Sequence, residues 1–206
     1  MKRRFTLLAT FTLFALGTLA NGIQAATPAK GEALRMAMRK LWEDHITWTR
    51  LFIVSALGDL PDSAATTERL LQNQVDLGNA IKPFYGAAAG EKLTALLKDH
   101  ILIAADIVKA AKAGDSAKLA SSKTRWTANA DDIASFLSGA NPKNWPVADM
   151  KMMMHDHLAA TTKELEARLN KDWKADVAAY DNVHAQILKM ADALSDGIIK
   201  QFPAKV

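Results

Sequence analysis

The sequence predicts an all-α protein, an up-and-down helical bundle of about six helices. Three observations lead there. Apolar residues recur at intervals of three and four almost throughout, the spacing that keeps side chains on one side of a helix. Five breaks interrupt the pattern, at residues 58–61, 83–90, 114–115, 139–146 and 170–172, and each contains two or more of glycine, proline, asparagine and aspartate. All five are short, which makes consecutive helices antiparallel neighbours.

Residues 1–26 are expected to precede the bundle as a secretory signal peptide. Lys2, Arg3 and Arg4 lead into an apolar run over 5–19, and the small residues Ala25 and Ala26 follow. Thr6, Thr10, Thr12 and Thr18 interrupt the run, which is short for a bilayer, so no permanent membrane anchor is expected. Cleavage would remove three of 26 basic residues and none of 22 acidic ones, taking the net charge from +4 to +1. Nothing in that balance points to nucleic acid. The expected destination is the periplasm or the medium. The remaining residues, 27–206, fit one domain with a sizeable core. The chain has no cysteine, so packing alone must hold the fold, and thiolate ligands and nucleophiles are excluded.

The first helix is expected over 31–57, where Leu34, Met38, Leu41, His45, Trp48, Phe52 and Ser55 form one stripe. The second, 63–82, follows Pro61, stops before Pro83 and carries Asn73, Asp76 and Asn79 three residues apart. Gly90 opens the third, 90–112, whose stripe of Leu93, Leu97, Ala104 and Ile107 includes His100. The fourth, 116–138, starts behind Gly114-Asp115. Pro146 precedes the fifth, 147–169, where MKMMMHDH over 150–157 splits into two faces. Met150, Met153, Met154 and His157 share one side, and Met152 and His155 are rotated away. The sixth, 173–201, places His184 on a stripe with Val177, Tyr180, Ile187, Ala191, Leu194 and Ile198.

All five histidines thus fall on four helices, with at least one on each at or beside an inward position. Neutral imidazoles converging from several helices supply what a transition metal wants. The expected ligands are His45, His100, His157 and His184, with His155 or Met154 as additional donors, and the expected ion is copper before zinc. The competing reading makes each histidine a hydrogen-bonded core residue and the methionines gap fillers. Haem between Met38 or Met190 and His184 is a weaker alternative, without a CxxCH for attachment. A di-iron bundle would need repeated ExxH pairs, and the nearest approach is Asp181 to His184. No phosphate loop, GxSxG or HExxH occurs, and no catalytic residue is nominated.

Two polar stretches add expectations. LWEDHITWTR, 41–50, and LLQNQVDLGNAI, 70–81, read structurally as an Arg50 to Asp76 pair tying the first helix to the second, or functionally as outer support for the imidazoles. A faint echo of Trp48-Thr49 in Trp126-Thr127 raises two related three-helix halves.

At LWEDHITWTR, QNQVDLGNAIKPFYG, WTANADDIASFL and MADALSDGIIKQFP the sequence resembles a family of small exported bacterial helical proteins, over nearly all of the chain after the leader. Some members carry automatic names such as glycosyltransferase or acetylglutamate kinase, for which this chain has no nucleotide-binding or sugar-donor motif. The resemblance implies export and a helical fold, and it carries no catalytic residue over. Three functions follow: a metal-binding or buffering bundle; a metal-free interaction or stress-related bundle with an unknown protein partner; and, last, a metal-dependent enzyme.

Overall fold

The computed structural model describes residues 29–206, so the leader expected over 1–26 lies outside them. Six α-helices follow in order: α1 Lys30–Gly58, α2 Ser63–Tyr85, α3 Ala87–Ala113, α4 Ser116–Ala140, α5 Val147–Leu169 and α6 Trp173–Gln201. No strand occurs among the described residues. Each helix packs on the next, α6 closes the ring on α1, and α1 reaches α3 and α5 across the interior. No helix among them is long and apolar enough to cross a membrane.

The ends of the helices follow local chemistry. Asp115 and Asp172 cap α4 and α6, their carboxylates accepting from the backbone N–H of Lys118 and Ala175. Gly114 takes a left-handed φ of 68° and its N–H closes the end of α3 onto Ala110 and Ala111. The expected break at 83–90 shrinks to the single residue Gly86, with φ 88°. Pro83 lies in the last turn of α2, where its missing N–H forfeits one helical bond without ending the helix. Gly90 lies inside α3 for a packing reason. A Cβ there would come within 2.6 Å of Gly78 O, and one on Gly78 within 2.5 Å of Gly90 O, so the pair lets α2 and α3 touch along their backbones.

The ring is made of three consecutive helical hairpins, α1–α2, α3–α4 and α5–α6, which share some buried positions. On the first helix of each hairpin Met38, Leu93 and Met150 are matched, as are Ile53, Val108 and Leu165, and all six are buried. On the second, buried Leu77, Ile133 and Met190 are each followed by a small residue, Gly78, Ala134 and Ala191. The two tryptophans of the echo, Trp48 and Trp126, lie on α1 and α4.

Candidate functional site

The first helices of the three hairpins each carry one buried histidine at mid-length, one turn after a buried Trp42, Leu97 or Met154. His45, His100 and His157 are 3%, 3% and 5% exposed, and they meet in the interior. The ring centres of His45 and His157 are 5.7 Å apart, and those of His100 and His157 6.3 Å. All three line one cavity of about 30 Å³, whose remaining wall includes Phe52, Ile107, Val108, Trp126 and Thr161. That is room for a water molecule or an ion. Trp126 Nε1 and Thr161 Oγ1 are buried polar atoms without a partner among the described residues.

Each imidazole is held from behind by an amide on the second helix of its own hairpin, 29 residues further on. His100 Nδ1 donates to Asn129 Oδ1 at 2.8 Å and His157 Nδ1 to Gln186 Oε1 at 3.2 Å. Gln74 Nε2 stands 3.3 Å from His45 Nδ1. Asn129 and Gln186 are anchored in turn on the histidine helix, whereas Gln74 Nε2 donates to Leu70 O on its own helix at 2.8 Å and its neighbour Asn73 makes the bond to α1. Asn129 Nδ2 donates to Leu96 O at 3.0 Å, Gln186 Nε2 to Met153 O at 3.0 Å, and Asn73 Nδ2 to Leu41 O at 2.9 Å. No group among the described residues bonds Nε2 of any of the three.

Burial keeps these rings neutral, because an imidazolium would be stripped of water here. Burial, with help from the neighbouring His157, lowers His100 to about 3. Burial lowers His157 to about 4 against the opposing bond to Gln186. His45 falls well below the usual histidine range for the same first reason, with His157 and His100 adding to it. The chemistry available is that of uncharged nitrogen donors facing a small, largely apolar cavity. As the rings lie, no group of three or more His, Asp or Glu among the described residues encloses an ion. Imidazoles sharing an ion at the usual nitrogen–metal distance have ring centres about 5 Å apart, so His100 and His157, 6.3 Å apart, must approach by about 1 Å to share one.

Three expected donors lie elsewhere. His184 sits on the outer side of α6, its Nε2 2.9 Å from Glu43 Oε1, with both side chains 42% exposed. The inward stripe of α6 passes through Val183 instead, and Val177, assigned to the buried stripe, is 55% exposed. His155 is exposed and pairs with Asp131 at 2.9 Å. Met154 is buried but lines a second, apolar cavity with Met38, Trp42, Leu77 and Met190, one turn away from the histidines. With His184 outside, haem between it and Met38 or Met190 has no geometry to rest on. Arg50 does not pair with Asp76. It crosses to Glu164 at 2.7 Å and to Asp176 at 2.9 and 3.1 Å, and Arg168 also reaches Asp176. Asp76 faces Gln72 and Arg69.

Sequence reasoning overlooked Gln74, Asn129 and Gln186, which orient the imidazoles. A signal existed: each inward histidine is followed by an amide 29 residues later. Compared with known proteins, the chain matches no family model, no curated protein and no solved structure.

Proposed function

We propose that this is an exported helical-bundle protein that binds a transition metal in the cavity shared by His45, His100 and His157, in a binding or buffering role. One observation carries the reading: three buried, neutral imidazoles, each tied through Nδ1 to an amide of the adjoining helix, line a single ion-sized cavity. A histidine ligand whose second nitrogen is held by an outer partner is the usual arrangement at metal centres. Since Met154 lies outside the cavity, the donors are nitrogen only, which suits Cu(II) and Zn(II), with copper ahead in intrinsic affinity. Export is supported by the basic and apolar leader and by the resemblance noted above.

A second reading has its own support. Asn129 and Gln186, and in the first hairpin Asn73 beside Gln74, also bind the Leu96, Met153 and Leu41 carbonyls, so these amides can serve only to lock each hairpin. The discriminating experiment is calorimetric titration of the untagged protein, residues 27–206, with Cu(II) and Zn(II). One ion per chain, retained in His155→Ala and His184→Ala but lost in His100→Ala and His157→Ala, supports the metal site. Absence of stoichiometric binding by the parent protein rejects it in favour of the hairpin lock.

A further inference from the structure

The three histidines are alike in burial but not in the group behind them. A neutral imidazole has one donor and one acceptor nitrogen, and the partner of Nδ1 decides which is which. The partners here are side-chain amides, and the direction of each amide is set by groups that can act in only one way.

In the second hairpin Leu96 O accepts from Asn129, so the NH2 of Asn129 must lie on that side. Its oxygen then faces His100 Nδ1 at 2.8 Å, and Nδ1 must carry the proton. In the third, Met153 O draws the NH2 of Gln186, and Gln186 Oε1 accepts from His157 Nδ1. Both rings therefore hold a free lone pair at Nε2.

The first hairpin divides this work between two residues. Leu41 O takes the NH2 of Asn73, leaving Asn73 Oδ1 as an acceptor for Gln74. Gln74 Nε2 stands 3.1 Å from that oxygen and 2.8 Å from Leu70 O, both of which only accept. Turning the amide over would set Gln74 Oε1 against two oxygens. The NH2 therefore also faces His45 Nδ1 at 3.3 Å, and Gln74 Oε1 is left buried without a partner among the described residues. A proton on His45 Nδ1 would point at an N–H, so the proton belongs on Nε2.

We propose that His45 is not a metal ligand but a hydrogen-bond donor into the cavity, and that the ion proposed above is held by Nε2 of His100 and His157 alone. This rests on the metal-binding reading. The ion then keeps open coordination positions, and His45 Nε2–H donates to the small oxygen ligand, water or hydroxide, that fills one of them. His45 acts as a positioning residue for that ligand.

Two measurements test this. Long-range nitrogen–proton correlation spectra of the metal-free protein assign the tautomers directly. The expected pattern is Nδ1–H at His100 and His157 and Nε2–H at His45, and Nδ1–H at all three overturns the proposal. Competitive Zn(II) titration of His45→Leu, His100→Leu and His157→Leu gives the second readout. Leucine at 45 leaves the NH2 of Gln74 its two oxygen partners, so that variant keeps its fold. Its affinity is expected to fall about tenfold or less, as for loss of an outer partner, and the affinities of the other two about a hundredfold or more. Equal losses in all three make His45 a ligand and overturn the proposal. A parent protein that binds no metal fails the functional reading instead, and the tautomer pattern then decides His45 separately.

Discussion

Asn129 links His100 to the backbone of its own helix, accepting from Nδ1 at 2.8 Å through one end of its amide and donating to Leu96 O at 3.0 Å through the other. Both ends of the amide are used, and Asn129 is only 7% exposed. Asn129→Leu removes both bonds and leaves the His100 N–H buried without a partner. It is expected to cost about 1–3 kcal/mol, the desolvation penalty of one orphaned polar group. Urea unfolding of the metal-free variant checks this, and a loss below about 0.5 kcal/mol would show that the bond contributes nothing to stability.

Acid should unfold the protein through the histidines. Their folded values lie below the unfolded value near 6.5, at about 3 for His100 and about 4 for His157, with His45 also well below. Below pH 6.5 the unfolded chain binds more protons than the folded one, so stability is full above that pH and falls as the pH drops. Three such groups give a slope approaching about 4 kcal/mol per pH unit near pH 5. Denaturant midpoints measured between pH 7 and 4.5 should fall steeply, and His100→Leu should make the slope shallower by about one proton. A flat profile would mean that the imidazoles are hydrated.

Two helical glycines with opposite surroundings give an opposed pair of variants. At Gly197 an added Cβ would overlap the indole of Trp145, which is 2% exposed and held by a bond from Nε1 to Ala193 O. Gly197→Ala should cost about 3 kcal/mol, at the upper end of overpacking, because that ring has nowhere to go. Gly139 has nothing within 4 Å of its added Cβ, and Gly139→Ala should stabilise by up to about 1 kcal/mol through helix propensity. Thermal melts of the two variants should move in opposite directions.

The cluster that joins α1, α5 and α6 should fail when its central cation is removed. Arg50 serves both Glu164 and Asp176, each 1% exposed. Burial pushes the Glu164 carboxyl up despite Arg50, whereas at Asp176 Arg50 and Arg168 outweigh burial and hold the carboxyl down. Arg50→Met leaves a buried carboxylate uncompensated and should cost about 3–5 kcal/mol. Arg50→Lys should recover only part of it, because an ammonium cannot reproduce the two-pronged contact with Asp176. Chemical denaturation of both variants measures the difference, and full recovery by lysine would mean that charge alone matters.

The helices were legible because their causes are local. Periodicity and turn chemistry placed all six, and the boundaries moved by more than two residues only around Pro83 and Gly90, where at Gly90 the reason lies on a neighbouring helix. His45, His100 and His157 were legible as inward residues because their stripes are wide. His184 was misplaced because one residue on a helix is a rotation of about 100°, and the apolar pattern of α6 tolerates an inward line through Val183 as readily as one through His184. Arg50 was matched with Asp76 as the nearer carboxylate in sequence, and its actual partners lie 114 and 126 residues away.

What the sequence determined by itself is the set of helices, the inward placement of His45, His100 and His157 and the absence of sulfur ligands from cysteine, since these follow from residue type and spacing along one chain. Only the tertiary structure decided which histidines meet and which nitrogen of each holds its proton. Both depend on how the ring of helices closes. The closure rotates His184 and His155 to the surface and brings Gln74, Asn129 and Gln186 up behind three imidazoles. A hydrogen bond between neighbouring helices has no periodicity on either of them, and it is set by packing the whole ring at once.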